Sequence, residues 1–247
     1  MSRVRRRSND RDVVEAFVAH LRDHGHPALR VERRPDEENP GVRDVDAIAG
    51  AFAIEHTSID TLPNQRRDSD WFMRVAGNLE QELDTTPPFR LNITLQWNAI
   101  TTGQNWAAIR AALKKWVTNE APRLADGRHV IESLPGIPFR LHVAKSSKRP
   151  PGVFFARFPP SDDTFPLRVN AAFNGKAEKL AKYKPLGRTT ILLVENNDIA
   201  IMNESKMIEA IRTAFPAGLP AAVDQVWYAD TSNESAVEFQ DFTPELR

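Results

Sequence analysis

The spacing of hydrophobic residues divides the chain into alternating helices and strands. Apolar residues every three or four positions predict helices from Asn9 or Asp10 to the stop at DHGHP, and over about 71–83, 104–118, 166–184 and 204–214. Alternating or continuous apolar runs predict strands in ALRVERR, RDVDAIAGAFAIEHTSID, RLNITLQW, FRLHVAKSSKRPPGVFFARF, TTILLVEN and VDQVWYAD. The run TTILLVEN is typical of a strand that is buried on both faces. The polar tail after Asp230 is predicted to be irregular. This order predicts one α/β domain over residues 1–247, with a mixed central sheet flanked by helices.

The segment 43–60 predicts a β-hairpin that carries two opposed carboxylates. If Gly50 and Ala51 form a two-residue type II′ loop, Asp46 faces Glu55 across the strands, with Cβ atoms about 4.5–5.5 Å apart. Two ionised carboxylates at this spacing repel each other, so either one is protonated or a cation lies between them. Because Mg²⁺ is commonly bound by one or two carboxylates, the pair is a candidate metal site. The alternative is that this face of the hairpin is simply exposed to solvent.

Composition restricts the class of protein and of partner. The 247 residues contain 33 basic and 33 acidic side chains, so any attraction to nucleic acid must come from local patches. The absence of cysteine excludes a disulfide scaffold and a thiolate site, and it fits a cytoplasmic location. The N-terminus MSRVRRRSNDRD lacks the apolar stretch of a secretory signal, and no apolar run approaches the length of a membrane span.

The order helix, strand, loop, strand with Asp46, tight turn, strand with Glu55 resembles the PD-(D/E)XK nuclease superfamily, also called restriction-endonuclease-like. The resemblance implies an αβββαβ core over about 10–60 and 165–196, with an insertion over about 60–165. It also implies that Asp46 and Glu55 bind Mg²⁺ or Mn²⁺ for phosphodiester hydrolysis. The expected partner is nucleic acid, with DNA favoured over RNA, and the sequence leaves this choice open. The dipeptide Pro35-Asp36 lies in a predicted loop, and we treat its match to the letters PD as coincidental.

Two further positions are compared with the family pattern. Glu15, on the first helix, matches an acidic residue that some members carry there. The position two after Glu55 is Thr57, where the family has lysine, so the chain resembles a divergent member that lacks the E-x-K lysine. Thr57 can form a hydrogen bond but cannot supply a positive charge.

The segment RVNAAFNGKAEKLAKYK offers a replacement for the missing lysine. Lys176 falls at the centre of an apolar helical stripe, where a lysine must extend to solvent, pair with a carboxylate or enter a site. Some members of the superfamily supply their lysine from the helix after the hairpin, so we expect Lys176, or else Lys179, to point toward Glu55. The alternative is that Asn174-Gly175 breaks the helix. The same segment is locally basic and predicts a phosphate-binding surface of Lys179, Lys182, Lys184 and Arg188.

Two functions are therefore expected from the sequence. The first is a Mg²⁺-dependent nuclease in which Asp46 and Glu55 bind the ion and Lys176 orients water or stabilises the developing charge. The second is a catalytically degenerate protein with the nuclease fold, which binds nucleic acid or a protein partner without cutting it.

Overall fold

A computed structural model describes residues 10–38, 41–83, 86–198, 201–233 and 237–247. Asn9, one of the two predicted helix caps, lies outside these residues. The chain forms two compact units, one made of Met1–Leu62 with Asp162–Arg247 and the other of Pro63–Ser161. The second unit falls within the segment that the sequence marks as an insertion.

The described residues form six α-helices, nine strands and four short 3₁₀ turns. The helices are α1 (Asp10–Asp23), α2 (Pro35–Glu38), α3 (Gln65–Val75), α4 (Trp106–Asn119), α5 (Phe165–Leu180) and α6 (Glu204–Ala214). The strands are β1 (Ala47–Ala49), β2 (Phe52–Ser58), β3 (Arg90–Gln96), β4 (Gly127–Ile131), β5 (Leu141–Ser146), β6 (Gly152–Phe158), β7 (Thr189–Asn196), β8 (Gln225–Asp230) and β9 (Glu238–Asp241). The 3₁₀ turns are Leu79–Glu82, Ala121–Arg123, Lys184–Leu186 and Thr243–Glu245.

The first unit contains a five-stranded mixed sheet in the order β1-β2-β7-β8-β9. Strands β2, β7 and β8 are parallel, and the two outer strands run antiparallel to their neighbours. Helix α1 packs on one face through Phe17, whereas α5 and α6 cover the other face through Phe173 and Ile211. Strand β7 is buried along almost its whole length, as its continuous apolar run predicts. The predicted α/β class, with a mixed sheet flanked by helices, is confirmed.

The second unit contains a four-stranded sheet in the order β4-β5-β3-β6. The alternate residues of β3 that include Leu91 and Ile93 are buried against α4, which contributes Leu113 and Trp116 to the same core. The intervening residues of β3, from Arg90 to Gln96, face away from this core.

The hairpin that carries the candidate site has the predicted register. Ala47 pairs with Ile54 and Ala49 with Phe52, so the turn consists of the two residues Gly50 and Ala51. Gly50 has a φ of 51°, the positive value that a type II′ turn requires at its first central position. A Cβ at Gly50 would also lie 3.0 Å from Cδ1 of Leu29, so both the backbone and the packing favour glycine here.

Two polar segments of the first unit differ from the prediction, the one before the hairpin and the one after Asp230. The segment ALRVERR forms a single bridge, Arg33 to Ile48, instead of a strand, because Pro35 starts α2 two residues later. The predicted loop PDEENPG contains this short helix, in which three acidic residues follow Pro35 and complement the helix dipole. The tail after Asp230 includes β9 and a 3₁₀ turn. Phe242, fully buried and stacked on Tyr228, anchors this tail.

Two elements of the second unit also differ from the prediction. Helix α3 begins at Gln65 and ends at Val75 instead of running over 71–83. Gly77 and Asn78 follow it, and Asn78 has a left-handed φ of 57°, which ends the helix. Strand β4 was not predicted, because it is an outer strand whose sequence GRHVI is mostly exposed and lacks apolar alternation.

Candidate functional site

Glu55 lies at the centre of the candidate site. It stands in β2 on the face that α5 covers, and its side chain has no solvent exposure. Its Oε1 accepts hydrogen bonds from Lys176 Nζ at 2.5 Å and from Lys179 Nζ at 2.7 Å. The other oxygen, Oε2, is buried and has no hydrogen-bond partner among the described residues. A buried carboxylate with one oxygen left unpaired is costly to fold and therefore points to a ligand or a chemical role.

The contact made by Lys176 is the one expected from its place in the apolar stripe. Helix α5 runs through Asn174-Gly175 without a break, so the alternative of a broken helix is wrong. About a quarter of the Lys176 side chain, 27%, is exposed, so the amine is reachable from solvent while it pairs with Glu55. The catalytic role of Lys176 stays a prediction.

Lys179 lies in the site as well, as the sequence allowed for the alternative lysine, and its role in phosphate binding stays a prediction. Residues three apart on a helix are neighbours, so the ammonium groups of Lys176 and Lys179 reach the same oxygen. The Lys179 side chain is the more buried of the two, with 19% exposed. Burial opposes the charge on Lys179, but Glu55 outweighs it and raises the pKa of this amine above its usual value.

Asp46 lies beside Glu55, immediately before β1. Its Oδ2 accepts a hydrogen bond of 2.5 Å from the backbone N–H of His56, which fixes the carboxylate against β2. Burial raises the pKa of Asp46, opposed by the His56 N–H and by the two lysines. Burial also raises the pKa of Glu55, and the nearby charge of Asp46 raises it further. The two carboxylates therefore interact as predicted, and the alternative of a solvent-exposed face is wrong.

Asp36 is a third carboxylate near the site, and sequence reasoning missed it. Its Oδ1 is buried and has no hydrogen-bond partner among the described residues. The negative charge of Asp36 raises the pKa of both Asp46 and Lys179, although burial and the groups closer to them have larger effects. The signal for it is the dipeptide Pro35-Asp36, for which the polar sequence predicts a loop. The proline in fact starts α2, and the bridge from Arg33 to Ile48 holds this segment against the hairpin.

Glu15 and Thr57 are placed differently from each other. The carboxylate of Glu15 is about half exposed and pairs with Arg34 at 2.6 Å, so its predicted place in the acidic site is wrong. The reason is that α1 packs on the sheet face opposite α5. Thr57 is buried two residues beyond Glu55 in the same strand.

His56 points away from the site, as expected from the alternation of β2. Its Nε2 lies 3.2 Å from Oε2 of Glu195 in β7, and both side chains are almost fully buried. Thr231 donates a hydrogen bond of 2.7 Å to the same glutamate. This pair belongs to the opposite face of the sheet, whereas the backbone N–H of His56 donates to Asp46 in the site.

The remaining predicted phosphate contacts have structural partners. Lys182 donates to the carbonyl of Arg43, and Arg188 donates to the carbonyl of Gly50 at the hairpin turn. Lys184 pairs with Asp224 at 2.5 Å. These cations tie the end of α5 and the following turn to the hairpin and to β8, and their phosphate-binding role stays a prediction.

Three further findings concern metal ligands, membrane-spanning helices and similarity to known proteins. Within the described ranges, no three or more His, Asp or Glu side chains are grouped so that they could hold a metal ion. The same part of the chain contains no helix that is long and apolar enough to cross a membrane. No protein-family model, curated protein or solved structure matches the chain, so the resemblance to the nuclease superfamily remains an expectation.

Proposed function

We propose that the protein is a Mg²⁺- or Mn²⁺-dependent nuclease of the PD-(D/E)XK type, with a restriction-endonuclease-like core. The observation that carries the proposal is the fully buried Glu55, which lies beside Asp46, contacts two lysines through Oε1 and leaves Oε2 unpaired. A purely structural carboxylate at this depth would be expected to have partners on both oxygens.

The residues of the site fit a divalent cation. Asp46 and Glu55 would hold the ion, and the buried, unpaired Oε2 of Glu55 is an oxygen of the kind that Mg²⁺ prefers. Asp36, Asp46 and Glu55 supply three carboxylates against two lysine ammonium groups, which leaves one negative charge in excess. Mg²⁺ commonly uses only one or two protein carboxylates together with water and substrate phosphate, so a site without three clustered ligands is compatible with it. When bound, the ion supplies Lewis acidity toward a phosphate oxygen and makes water more acidic.

The two lysines would have different tasks. Because the pKa of Lys179 is raised and its side chain is the more buried, it stays protonated and holds the Glu55 carboxylate in place. Lys176 is the more exposed, so its amine can turn from Glu55 toward a substrate phosphate or an attacking water while Lys179 remains bound. A positive hydrogen-bond donor at that point would stabilise the charge that develops on the phosphate. In this way α5 would replace the lysine that Thr57 cannot supply.

A second candidate is a nuclease-fold protein that binds nucleic acid without cutting it. It is favoured by Lys176 and Lys179, whose two positive charges balance the two negative charges of Asp46 and Glu55. In this case the site would be a closed ion-pair cluster with no need of a metal.

A cleavage assay separates the two candidates. Purified protein would be incubated with labelled single-stranded DNA, duplex DNA and RNA of mixed sequence, with Mg²⁺, with Mn²⁺ or with a chelator. We expect metal-dependent cleavage, with DNA preferred, and its loss in Asp46→Asn and in Glu55→Gln. Asp224→Asn is the matched control, because Asp224 also pairs with a lysine in the first unit but lies outside the site. Cleavage that persists in the Asp46→Asn/Glu55→Gln double variant, or none by the wild type with either metal, would overturn the proposal.

A further inference from the structure

The open face of the second unit's sheet carries a distinctive set of side chains. Three apolar side chains on it are strongly exposed: Val130 by 51%, Phe154 by 44% and Phe158 by 39%. They stand on the two outer strands, β4 and β6. The residues next to them in sequence face the core with α3 and α4, so these three side chains face the other way. Exposed phenylalanines on an otherwise well-packed sheet indicate a surface that contacts a partner.

The charge of this face has one sign. Arg90 and Arg128 stand on the same face as Phe154. Arg128 lies in the same row across the sheet as Phe154, and Arg90 lies in the next row. Every other strand position on this face is occupied by a neutral residue or a histidine, and none by Asp or Glu. The face therefore complements an anionic partner, although the net charge of the whole chain is zero.

Both phenylalanine rings are partly exposed, and each has a neighbour on the same face. The guanidinium of Arg90 lies over the ring of Phe154, 4.0 Å from its centroid. Gly152, which pairs with Arg90, leaves the room for this ring, since a Cβ there would lie 2.8 Å from it. His142 meets the ring of Phe158 edge-on, with centroids 5.0 Å apart. Phe158 is four positions along β6 from Phe154, so the two residues stand about 13 Å apart and would meet different bases.

We propose that this open sheet face binds single-stranded nucleic acid, with unpaired bases stacked on Phe154 and Phe158 and phosphates bound by Arg90 and Arg128. Aromatic rings and arginines on one surface are the combination that recognises unstacked bases and their backbone, whereas a duplex keeps its base faces covered. An acidic protein partner would match the arginines but would not supply the unstacked bases for which two separated rings offer stacking positions. The proposal does not rest on the metal site, because binding here needs neither Asp46 nor Glu55.

The test is direct binding by the full-length chain in a chelator, which excludes cleavage. Fluorescence anisotropy would compare a labelled 12-nucleotide single strand with the matching duplex. We expect the single strand to bind more tightly, and Phe154→Ala and Phe158→Ala each to weaken it about tenfold, as loss of one stacked base predicts. Arg90→Gln should weaken binding and reduce the salt-dependence slope by about 0.7.

Leu167→Ala is the matched control, because Leu167 is an exposed apolar residue of the first unit and its loss should leave binding unchanged. Circular dichroism would verify that each variant folds. Equal affinity for duplex and single strand, or binding unaffected by both phenylalanine variants, would overturn the proposal. Self-association of the chain that depends on Phe154, without binding of the single strand, would also overturn it and assign the face to a second copy.

Discussion

Replacement of Glu55 by glutamine distinguishes a functional carboxylate from a structural ion pair. If Glu55 only anchored Lys176 and Lys179, its neutralisation would break a buried ion pair, which typically costs about 3–5 kcal/mol. The structure indicates the opposite, because burial and the charge of Asp46 raise the pKa of Glu55 in spite of both lysines. Each unit by which the pKa is raised means that the ionised form costs about 1.4 kcal/mol of stability at neutral pH. We therefore expect Glu55→Gln to be within about 1 kcal/mol of the wild type at pH 7, or more stable.

The pH dependence of this difference has a defined sign. Because the folded-state pKa of Glu55 is above the ordinary value of 4.5, its contribution to stability is complete below pH 4.5 and is lost as the pH rises through the raised pKa. The advantage of Glu55→Gln should therefore grow from acid to neutral pH. For Asp224, burial opposes ionisation, but the hydrogen bonds from Lys184 and Thr190 outweigh it and lower the pKa. Asp224→Asn should accordingly cost about 1 kcal/mol at pH 7, and the cost should disappear as the pH falls through the lowered pKa.

Hydrogen exchange of β2 and β7 amides in rising urea measures the free energy of the opening that exposes these two strands of the first unit. The measurement would be made at several pH values between 4 and 7 for the wild type and the two variants. A loss of 3 kcal/mol or more in Glu55→Gln at every pH would refute the reasoning and make Glu55 a structural anchor.

Three further substitutions test other parts of the account. Lys176→Met should lower kcat about 100-fold or more with little change in stability, whereas Lys179→Met should also weaken metal binding. Equal kinetic effects of the two variants in a steady-state assay would contradict the different tasks of the two lysines. Gly50→Ala should lower the unfolding free energy by about 1–2 kcal/mol through its positive φ, and an unchanged melting temperature would contradict this. Lys145, buried in the second unit, donates to three backbone carbonyls. Lys145→Met should therefore cost about 2 kcal/mol or more by urea unfolding, whereas exposed Lys148→Met should cost almost nothing.

The parts of the fold that the sequence predicts well are those in which local pattern and burial agree. Strand β7 is a continuous apolar run and lies in the middle of its sheet. The hairpin register follows from Gly50, because only a two-residue turn at that point keeps the alternating residues of both strands on consistent faces. The outer strands β4 and β9 were missed because one side of an outer strand needs no apolar partner, so their sequences resemble loops.

The sequence predicts those features of the candidate site that follow from the pattern of a single hairpin or a single helix. The hairpin pattern places Asp46 near Glu55, and the phase of α5 directs Lys176 toward the sheet. The second lysine contact depends on how far two flexible side chains reach, because Lys179 is rotated by about 60° from Lys176 around the helix axis. Asp36 joins the site through the fold of a short polar segment around Arg33 and Pro35, for which the sequence has no periodic signal.

Metal binding in the absence of turnover tests the central claim most directly. Electron paramagnetic resonance of free Mn²⁺ would be followed in titrations of the wild type, Asp46→Asn and Glu55→Gln, in the presence of a non-cleavable oligonucleotide. We expect the wild type to bind Mn²⁺ at neutral pH and to lose it as the pH falls through the raised pKa values of the two carboxylates, well before an ordinary carboxylate would protonate. Both variants should bind it far more weakly at every pH. Mn²⁺ binding that is the same in the wild type and both variants, or absent from all three, would contradict the assignment of Asp46 and Glu55 as a metal site.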